Sequence, residues 1–291
     1  MKKLTIFTPT YNRQDTLVQL YESLKSQAAQ DFLWMIVDDG STDDTLRSVQ
    51  RWVKEKNIDI QYFSQINQGK HMAMAKAVAE CQTPWFICVD SDDVMPSNAV
   101  RELLVDIGCA LPVGCIGYIY PRYAAGGSEQ MLFPDRLPPI HIMDAKNLCQ
   151  IRETAILFQT KYLKKLNFPH FSGETFLSEE ILYIQLAQYG KFLPRNRMVY
   201  QSEYRRDGLT HNLFRVWMKN PHGTVLLLNE RYKFCGKYCF WTRVRERTKC
   251  ILNLNAFCMA CNTPVLRVTP NKWYSILTYL PSLVWRRIRF Q

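Results

Sequence analysis

Apolar residues form short continuous runs through the first ninety residues, and each run is followed by polar turn residues and then by helical spacing. The predicted strands are Leu4 to Thr8, Phe32 to Val37, Ile60 to Ser64 and the run from Phe86 to Val89. This alternation is typical of β-to-α units, which build a parallel sheet covered by helices. Since the polar residues follow the strands, the pattern predicts a ligand cleft at the carboxyl edge of that sheet.

The helices between these strands are predicted from apolar residues three and four positions apart. The first carries Leu17, Leu20, Tyr21 and Leu24, the second carries Leu46, Val49, Trp52 and Val53, and the third runs from about His71 to Glu80. Asp15 and Thr16 are predicted to cap the first helix.

Three acidic residues within four positions end the apolar run at Asp90, Asp92 and Asp93. On an extended backbone, carboxylates one residue apart face the same side, where they can hold a hard divalent cation. An acidic turn exposed to solvent is the alternative interpretation of these residues.

Four segments in this order resemble family 2 inverting glycosyltransferases of the GT-A fold. They are Thr8 to Arg13, Val37 to Asp43, Asn67 to Lys70 and Asp90 to Asp93. The resemblance is strongest over residues 1 to about 110. It implies a Rossmann-like α/β fold with a mixed, mostly parallel sheet flanked by helices, and transfer of a sugar with inversion from a nucleoside-diphosphate sugar, a UDP-sugar by preference. Two later segments, Gly173 to Glu179 and Tyr204 to Thr210, resemble acceptor-side segments of transferases that build bacterial surface polysaccharides.

The resemblance implies roles for residues on the donor side. Thr8, Pro9 and Tyr11 line the nucleotide pocket, and Asp39 accepts a hydrogen bond from the base edge. The remaining members of the predicted nucleotide-sugar site are Lys70, Asp90 and Ser91.

A divalent cation, Mn²⁺ or Mg²⁺, is implied together with the diphosphate. Asp92 is its predicted ligand, and Asp90 and His211 are further candidates. Asp38 and Asp43 are predicted to accept hydrogen bonds from backbone groups in the turn and at the helix start instead.

The catalytic base is predicted at Glu179, which follows Ser178 as the catalytic acid residue of the family follows a Ser or Thr. Glu180 is the alternative, because many relatives carry Glu-Asp at these positions. Glu174 is a candidate for holding an acceptor hydroxyl. Arg205 and Arg206 are candidates for binding phosphate, since guanidinium groups match anionic oxygens.

Positive charge is concentrated in the last third of the chain: residues 200–291 contain 16 Lys/Arg and 4 Asp/Glu. We therefore expect a GT-A domain at 1–215, with donor binding in 1–110 and the acceptor side in 111–215, followed by a basic, helical C-terminal extension at 216–291. The aromatic and apolar run from Trp273 to Trp285 favours an anionic membrane surface over nucleic acid as partner. Packing within the protein or in a homodimer is the alternative interpretation.

The expected location is cytoplasmic and peripheral at the inner membrane face, where a glycan or lipid-linked acceptor is available, and no signal-peptide core follows Met1. Two other classes of function stay open. A sugar-nucleotide nucleotidyltransferase requires a glycine-rich loop after the first strand, which Thr8 to Asn12 lack. A non-enzymatic basic adaptor, binding membrane or nucleic acid, leaves the acidic strand ends unexplained.

Overall fold

The computed structural model describes residues 2–124, 131–151, 153–202 and 213–290. The strands are β1 Leu4–Thr10, β2 Phe32–Asp38, β3 Ile60–Ser64, β4 Trp85–Cys88, β5 Asp93–Val94, β6 Cys115–Pro121, β7 Tyr123–Ala124, β8 Thr154–Gln159, β9 Lys191–Pro194 and β10 Gln201–Ser202. The helices are α1 Gln14–Lys25, α2 Thr45–Glu55, α3 Lys70–Glu80, α4 Ala99–Gly108, α5 Ala145–Cys149, α6 Thr160–Leu163, α7 Glu180–Leu186, α8 Leu213–Lys219, α9 Pro221–Phe234, α10 Phe240–Ala260, α11 Val265–Val268, α12 Lys272–Leu277 and α13 Tyr279–Arg289.

Seven of the described strands form one sheet, in the order β3-β2-β1-β4-β8-β6-β9. β1 pairs in parallel with both β2 and β4, whereas β8 runs antiparallel to its neighbours β4 and β6. A small second sheet contains β5, β10 and β7. The predicted mixed, mostly parallel α/β fold with C-terminal helices is confirmed.

The chain folds into two units. The first unit contains Met1–Phe168 and Gln185–Arg205, and the second contains Pro169–Ile184 and Arg206–Gln291. Residues 169–184, which carry the predicted catalytic base, therefore group with the C-terminal helices. The functional division at residue 215 stays a prediction.

The core of the first unit lies between the sheet and its helices. The predicted apolar face of α1 is buried, and so are Val49 and Trp52 of α2. The rings of Tyr21 and Trp52 stack with centroids 4.4 Å apart, and Trp34 of β2 stacks on Trp52 at 5.8 Å. Burial of each large side chain contributes about 1.5–3 kcal/mol. This packing fixes the positions of β1 and β2, whose ends carry the site.

The predicted caps of α1 are wrong. The helix begins at Gln14, so that Asp15 and Thr16 lie inside its first turn. The backbone N–H of Gln14 donates to Asp43 Oδ2 at 3.1 Å. The capping carboxylate therefore comes from the loop after β2, a long-range contact that local sequence does not reveal.

The second unit has a core of buried side chains from α7 to α10 and the segment before α7. Its members are Leu177, Ile181, Trp217, Leu227, Leu228, Leu254, Phe257 and Cys258. The two last helices, α12 and α13, pack differently: the buried residues within them are Ser275 and Ser282. Among the described helices, none is both long and apolar enough to cross a membrane.

Candidate functional site

The loops after β1 and β2 are joined by hydrogen bonds. Asn12, which has a φ of 51°, receives a hydrogen bond from the Thr42 N–H at Oδ1 (2.7 Å). The Asn12 N–H in turn donates to Ser41 Oγ at 2.9 Å. An asparagine tolerates the left-handed conformation that this exchange requires. The two loops that resemble donor-binding segments therefore form one connected surface at the carboxyl edge of the sheet.

Asp38 and Asp43 hold these loops in place, as predicted. Asp38 accepts from the Ser41 N–H and from the Tyr62 hydroxyl, both at 2.7 Å. Asp43 accepts from the backbone and hydroxyl of Thr45 in addition to Gln14. Partial burial opposes ionisation of Asp43, but the hydrogen bonds outweigh it and lower the pKa of the carboxyl.

Asp39 is buried and orients the loop before α3. Its Oδ1 accepts from Gln65 Nε2 at 2.7 Å and from the Gln68 N–H at 2.9 Å, and its Oδ2 accepts from the Gly69 N–H at 2.7 Å. The neighbouring Gly40 has a φ of +87°, and a Cβ there would lie 3.1 Å from the Asn67 nitrogen. Glycine is therefore required for this approach of two loops. With one donor among the described residues, Asp39 Oδ2 can accept a second hydrogen bond.

The other predicted pocket residues differ in exposure. Thr8 is fully buried, and its hydroxyl accepts from Trp34 Nε1 at 3.0 Å. Pro9 and Ser91 are also buried. The side chain of Tyr11 is 47% exposed, so its ring is open to a planar partner. The exposed Tyr11 ring is open to stacking on a base, and the predicted place of Thr8 in the nucleotide pocket stays a prediction.

Lys70 and Asp90 form an ion pair, with Lys70 Nζ 2.6 Å from Asp90 Oδ1. Lys70 opens α3 and Asp90 follows β4, so the pair joins two of the predicted donor segments. Burial opposes ionisation of Asp90, but the Lys70 charge outweighs it and holds the pKa of this carboxyl below its ordinary value. Asp90 is therefore a carboxylate at neutral pH.

Asp93 and Arg122 form a buried pair that the sequence motifs did not assign to the site. Arg122 Nη2 lies 2.6 Å from Asp93 Oδ1, and the guanidinium lies 5.3 Å from the centre of the Tyr200 ring. Burial raises the pKa of Asp93 to about 7, against the opposing charge of Arg122. The Asp93 N–H donates to the Asp90 carbonyl at 3.1 Å. The pair therefore anchors the turn that carries Asp90 and Asp92. In the sequence, the one signal of this pair is Asp93, the third acidic residue of the run that begins at Asp90.

Asp92 is half-buried in this turn. Among the described residues, no three His, Cys, Asp or Glu side chains are grouped to hold a metal ion. Asp90 and Asp92 still supply the carboxylate oxygens that Mg²⁺ and Mn²⁺ prefer, and Mg²⁺ is commonly bound by one or two carboxylates with substrate phosphates. The donor set therefore fits a cation that the diphosphate completes. Three predicted candidates, Arg205, Arg206 and His211, lie outside the described residues.

The two candidate bases have different partners in the second unit. Both oxygens of Glu180 pair with Arg231, through Nε and Nη2. Glu179 accepts from the Tyr183 hydroxyl at 2.8 Å, one helical turn later. Because Arg231 donates to both Glu180 oxygens, fewer acceptor positions on that carboxylate are left for a substrate hydroxyl. This geometry favours Glu179 over Glu180 as the base, which stays a prediction.

Glu174 is buried and caps α9. Its Oε1 accepts from the His222 N–H at 2.7 Å and lies 2.7 Å from His222 Nδ1, while its Oε2 accepts from the Gly223 N–H at 2.9 Å. A carboxylate at a helix N-terminus satisfies unpaired N–H groups and interacts favourably with the dipole. The structure thus gives Glu174 a capping role, and its predicted contact with an acceptor hydroxyl stays untested.

Comparison with known proteins agrees with the fold and with the resemblance to family 2 glycosyltransferases. Residues 5–133 match the family model for glycosyl transferase family 2. The chain is 36% identical over 105 residues to a teichoic acid poly(glycerol phosphate) polymerase of Staphylococcus epidermidis, covering 36% of this chain and 15% of that protein. It is 24% identical over 243 residues to a GalNAc(5)-diNAcBac-PP-undecaprenol beta-1,3-glucosyltransferase of Campylobacter jejuni, covering 79% of this chain and 75% of that protein.

Solved structures of similar fold extend over the whole chain. The structure of residues 1–349 of Staphylococcus aureus TarS in complex with UDP-GlcNAc has a TM-score of 0.60 at 16% identity, covering 99% of this chain and 93% of that one. Other similar structures, with TM-scores of 0.50 to 0.53, contain Mn²⁺ or Mg²⁺. The matches to the first two curated relatives span only 15% and 16% of their lengths.

Proposed function

We propose that this protein, whose residues 5–133 match the family model for glycosyl transferase family 2, transfers a sugar with inversion from a UDP-sugar to a hydroxyl of a glycan. The observation that carries the proposal is the arrangement of Asp39, Asp90 and Asp92 on loops at the carboxyl edge of the sheet, with Lys70 at the start of α3 paired to Asp90. The TarS complex with UDP-GlcNAc, a structure of similar fold, supports UDP as the nucleotide.

Tyr11 and Asp39 bind the nucleotide in this proposal. The exposed Tyr11 ring stacks on the base, and Asp39 Oδ2 accepts a hydrogen bond from a base N–H. Three hydrogen bonds already fix the Asp39 carboxylate, so little side-chain entropy is lost when the base binds. A uracil ring offers the N–H that this acceptor requires.

Asp92, with Asp90 as a second candidate, would hold a divalent cation when the donor diphosphate is bound. A bound Mn²⁺ or Mg²⁺ offsets the negative charge that develops on the departing UDP. Lys70 balances the charge of Asp90 before the donor binds, and its flexible ammonium then turns toward the diphosphate. Arg122 and Asp93 keep the Asp90–Asp92 turn in place while these charges are exchanged.

Glu179 acts as the general base. The Tyr183 hydroxyl orients its carboxylate, and the pairing of Glu180 with Arg231 fixes the first turn of α7 beside it. Glu179 takes the proton of the acceptor hydroxyl, whose oxygen attacks the anomeric carbon on the face opposite to the diphosphate. Attack from that face inverts the configuration at the anomeric carbon.

The acceptor is a surface glycan or its lipid-linked precursor, and the protein works at the inner face of the cytoplasmic membrane. The Campylobacter relative, whose name specifies an undecaprenol-linked substrate, supports a lipid-linked acceptor. The tail helices, α12 and α13, support membrane attachment because they expose apolar side chains and bury polar ones, the reverse of a helix in contact with water on its outer face. They bury serines, whereas their large apolar side chains are exposed: Trp273, Ile276, Leu277, Leu280, Val284 and Ile288. An apolar, basic surface of this kind binds anionic lipid headgroups.

A donor-release assay tests the proposal. The protein is incubated with a panel of UDP-, GDP- and CDP-sugars in the presence of Mn²⁺ or a chelator, and release of nucleoside diphosphate is measured. We expect metal-dependent release from one or more UDP-sugars, and its reduction by about 10²- to 10⁴-fold in Asp92→Asn. Asp44→Asn is the matched control, because Asp44 is an exposed carboxylate at the start of α2. If the rate of nucleoside diphosphate release is the same with chelator and in Asp92→Asn as in wild type with Mn²⁺, the metal assignment is refuted.

A further inference from the structure

A groove of about 710 Å³ lies within the second unit, between the end of α10 and the tail helices. Most of its wall is apolar, formed by side chains that include Met259, Val265, Leu266, Ile276, Leu280 and Leu283. The volume is in the range of small-molecule sites, and the apolar walls fit hydrocarbon. Several of these side chains are also exposed at the surface, so the groove opens onto the apolar face of α12 and α13.

The charge around the groove selects an anionic occupant. Arg286 is the one charged side chain in its lining among the described residues. The chain from residue 247 to residue 291 contains seven Lys/Arg and no Asp/Glu. A guanidinium at the edge of an apolar groove binds phosphate oxygens through paired N–H donors. A second copy of this chain fits the groove less well, because its own seven positive charges would be repelled by the seven of the first copy.

We propose that this groove binds one hydrocarbon chain of a lipid whose phosphate pairs with Arg286. The apolar walls take the chain, and the guanidinium takes the phosphate at the point where the chain leaves the groove. The identification of this lipid as the carrier of the sugar acceptor rests on the proposed function. The binding of a single-chain lipid phosphate does not, so the two can fail separately.

The first experiment is calorimetric titration of the full chain with dodecyl phosphate, below the concentration at which it forms micelles. Arg286→Gln is compared with Arg287→Gln, which removes the same charge from the next, exposed position of α13. We expect Arg286→Gln to weaken binding about tenfold, because a hydrogen-bonded charge is lost, and Arg287→Gln to change it less than about twofold. Inorganic phosphate at the same concentration is expected not to compete, which separates a lipid phosphate from a free one.

A second pair of variants tests the apolar part of the groove. Leu283→Trp fills the groove from its wall, whereas Val284→Trp places the same ring on the neighbouring exposed position outside it. We expect dodecyl phosphate binding to be lost in Leu283→Trp and retained in Val284→Trp. UDP binding, measured on the same samples, reports separately on the donor site and is expected to be unchanged in both.

Three results of the titrations would overturn the proposal: no binding of dodecyl phosphate by the wild-type chain, equal losses in the two arginine variants, or equal losses in the two tryptophan variants. Equal arginine losses would mean general attraction by surface charge. A dimer in sedimentation experiments that Leu283→Trp dissociates would also overturn it, because a second copy would then be the occupant.

Discussion

The first unit and the two tail helices of the second unit, α12 and α13, use their apolar residues in opposite ways. In the first unit, Leu17 and Trp34 are buried under the sheet, and polar side chains collect where the strands end. In the tail helices of the second unit, Ser275 and Ser282 are buried while Trp273 is 83% exposed. A hydrophobic pattern predicts burial only when water covers the opposite face. The exposed apolar side chains of the tail are the reason that we propose a partner there, whereas in the first unit we propose a ligand at the polar edge of the sheet.

The adjacent carboxylates Glu179 and Glu180 provide the largest expected effect, and they separate chemistry from structure. Glu179→Gln is expected to lower kcat about 10²- to 10⁴-fold, because an amide cannot take the acceptor proton, with UDP binding and the melting temperature unchanged. Glu180→Gln is expected to keep turnover within about tenfold and to lower the free energy of unfolding, because it breaks a charged pair with Arg231. Steady-state kinetics and thermal melts on both variants check this. An active Glu179→Gln beside an inactive Glu180→Gln would reverse the assignment.

The Arg122–Asp93 pair is expected to matter most for stability in the first unit. Arg122→Met leaves Asp93, which is 2% exposed, without its cation. At a pH of about 8 or above, where Asp93 is ionised because its pKa is about 7, breaking such a pair from one side costs up to about 3–5 kcal/mol of unfolding free energy, and the loss is smaller at lower pH because the carboxyl then takes up a proton. Arg51→Met is the control, because it breaks an exposed pair with Glu55 and is expected to change stability by less than about 1 kcal/mol. Urea titration measures both, and equal effects would remove the anchoring role of Arg122.

Glu174 tests whether a buried carboxylate in the second unit is a helix cap. Glu174→Gln removes the negative charge from the N-terminus of α9 while keeping the size of the side chain, and it is expected to cost about 1–2 kcal/mol of unfolding free energy. Glu230→Gln, near the opposite end of α9, is expected to cost less than about 0.5 kcal/mol. If Glu174→Gln is as stable as wild type but loses turnover, the predicted contact with the acceptor is the better account.

The sequence was sufficient for local structure and insufficient for long-range partners. The first four strands and the buried face of α1 follow from apolar spacing, and Asp38 and Asp43 hold backbone groups as expected. The cap of α1 could not be predicted, because Gln14 receives its carboxylate from Asp43 in the next loop. Arg122 was missed for the same reason: it lies 29 residues from Asp93 and gives no local signal. The hydrogen bond from the His222 N–H to Glu174 likewise joins residues that are far apart in sequence and meet only in the folded chain.

The long-range cap at Asp43 predicts a small effect that depends on pH. Hydrogen bonds to the charged form lower the pKa of Asp43 below its ordinary value of 3.8. Its stabilisation is therefore present above pH 3.8 and is lost as the pH falls through the lower pKa of the folded state. We expect Asp43→Asn to cost about 0.5–1 kcal/mol at a pH of about 7 and nothing at the acid end of the titration. A difference between the two proteins that is independent of pH would contradict this.

The central claim is that the turn after β4 binds a nucleotide through a cation held by Asp92. Calorimetric titration of UDP, with and without Mn²⁺, tests it directly on wild type, Asp92→Asn and the control Asp44→Asn. The account predicts that Mn²⁺ strengthens UDP binding by about tenfold or more in wild type and in Asp44→Asn, and that Asp92→Asn loses this gain. UDP binding that Mn²⁺ does not affect, or a gain that survives in Asp92→Asn, would contradict it.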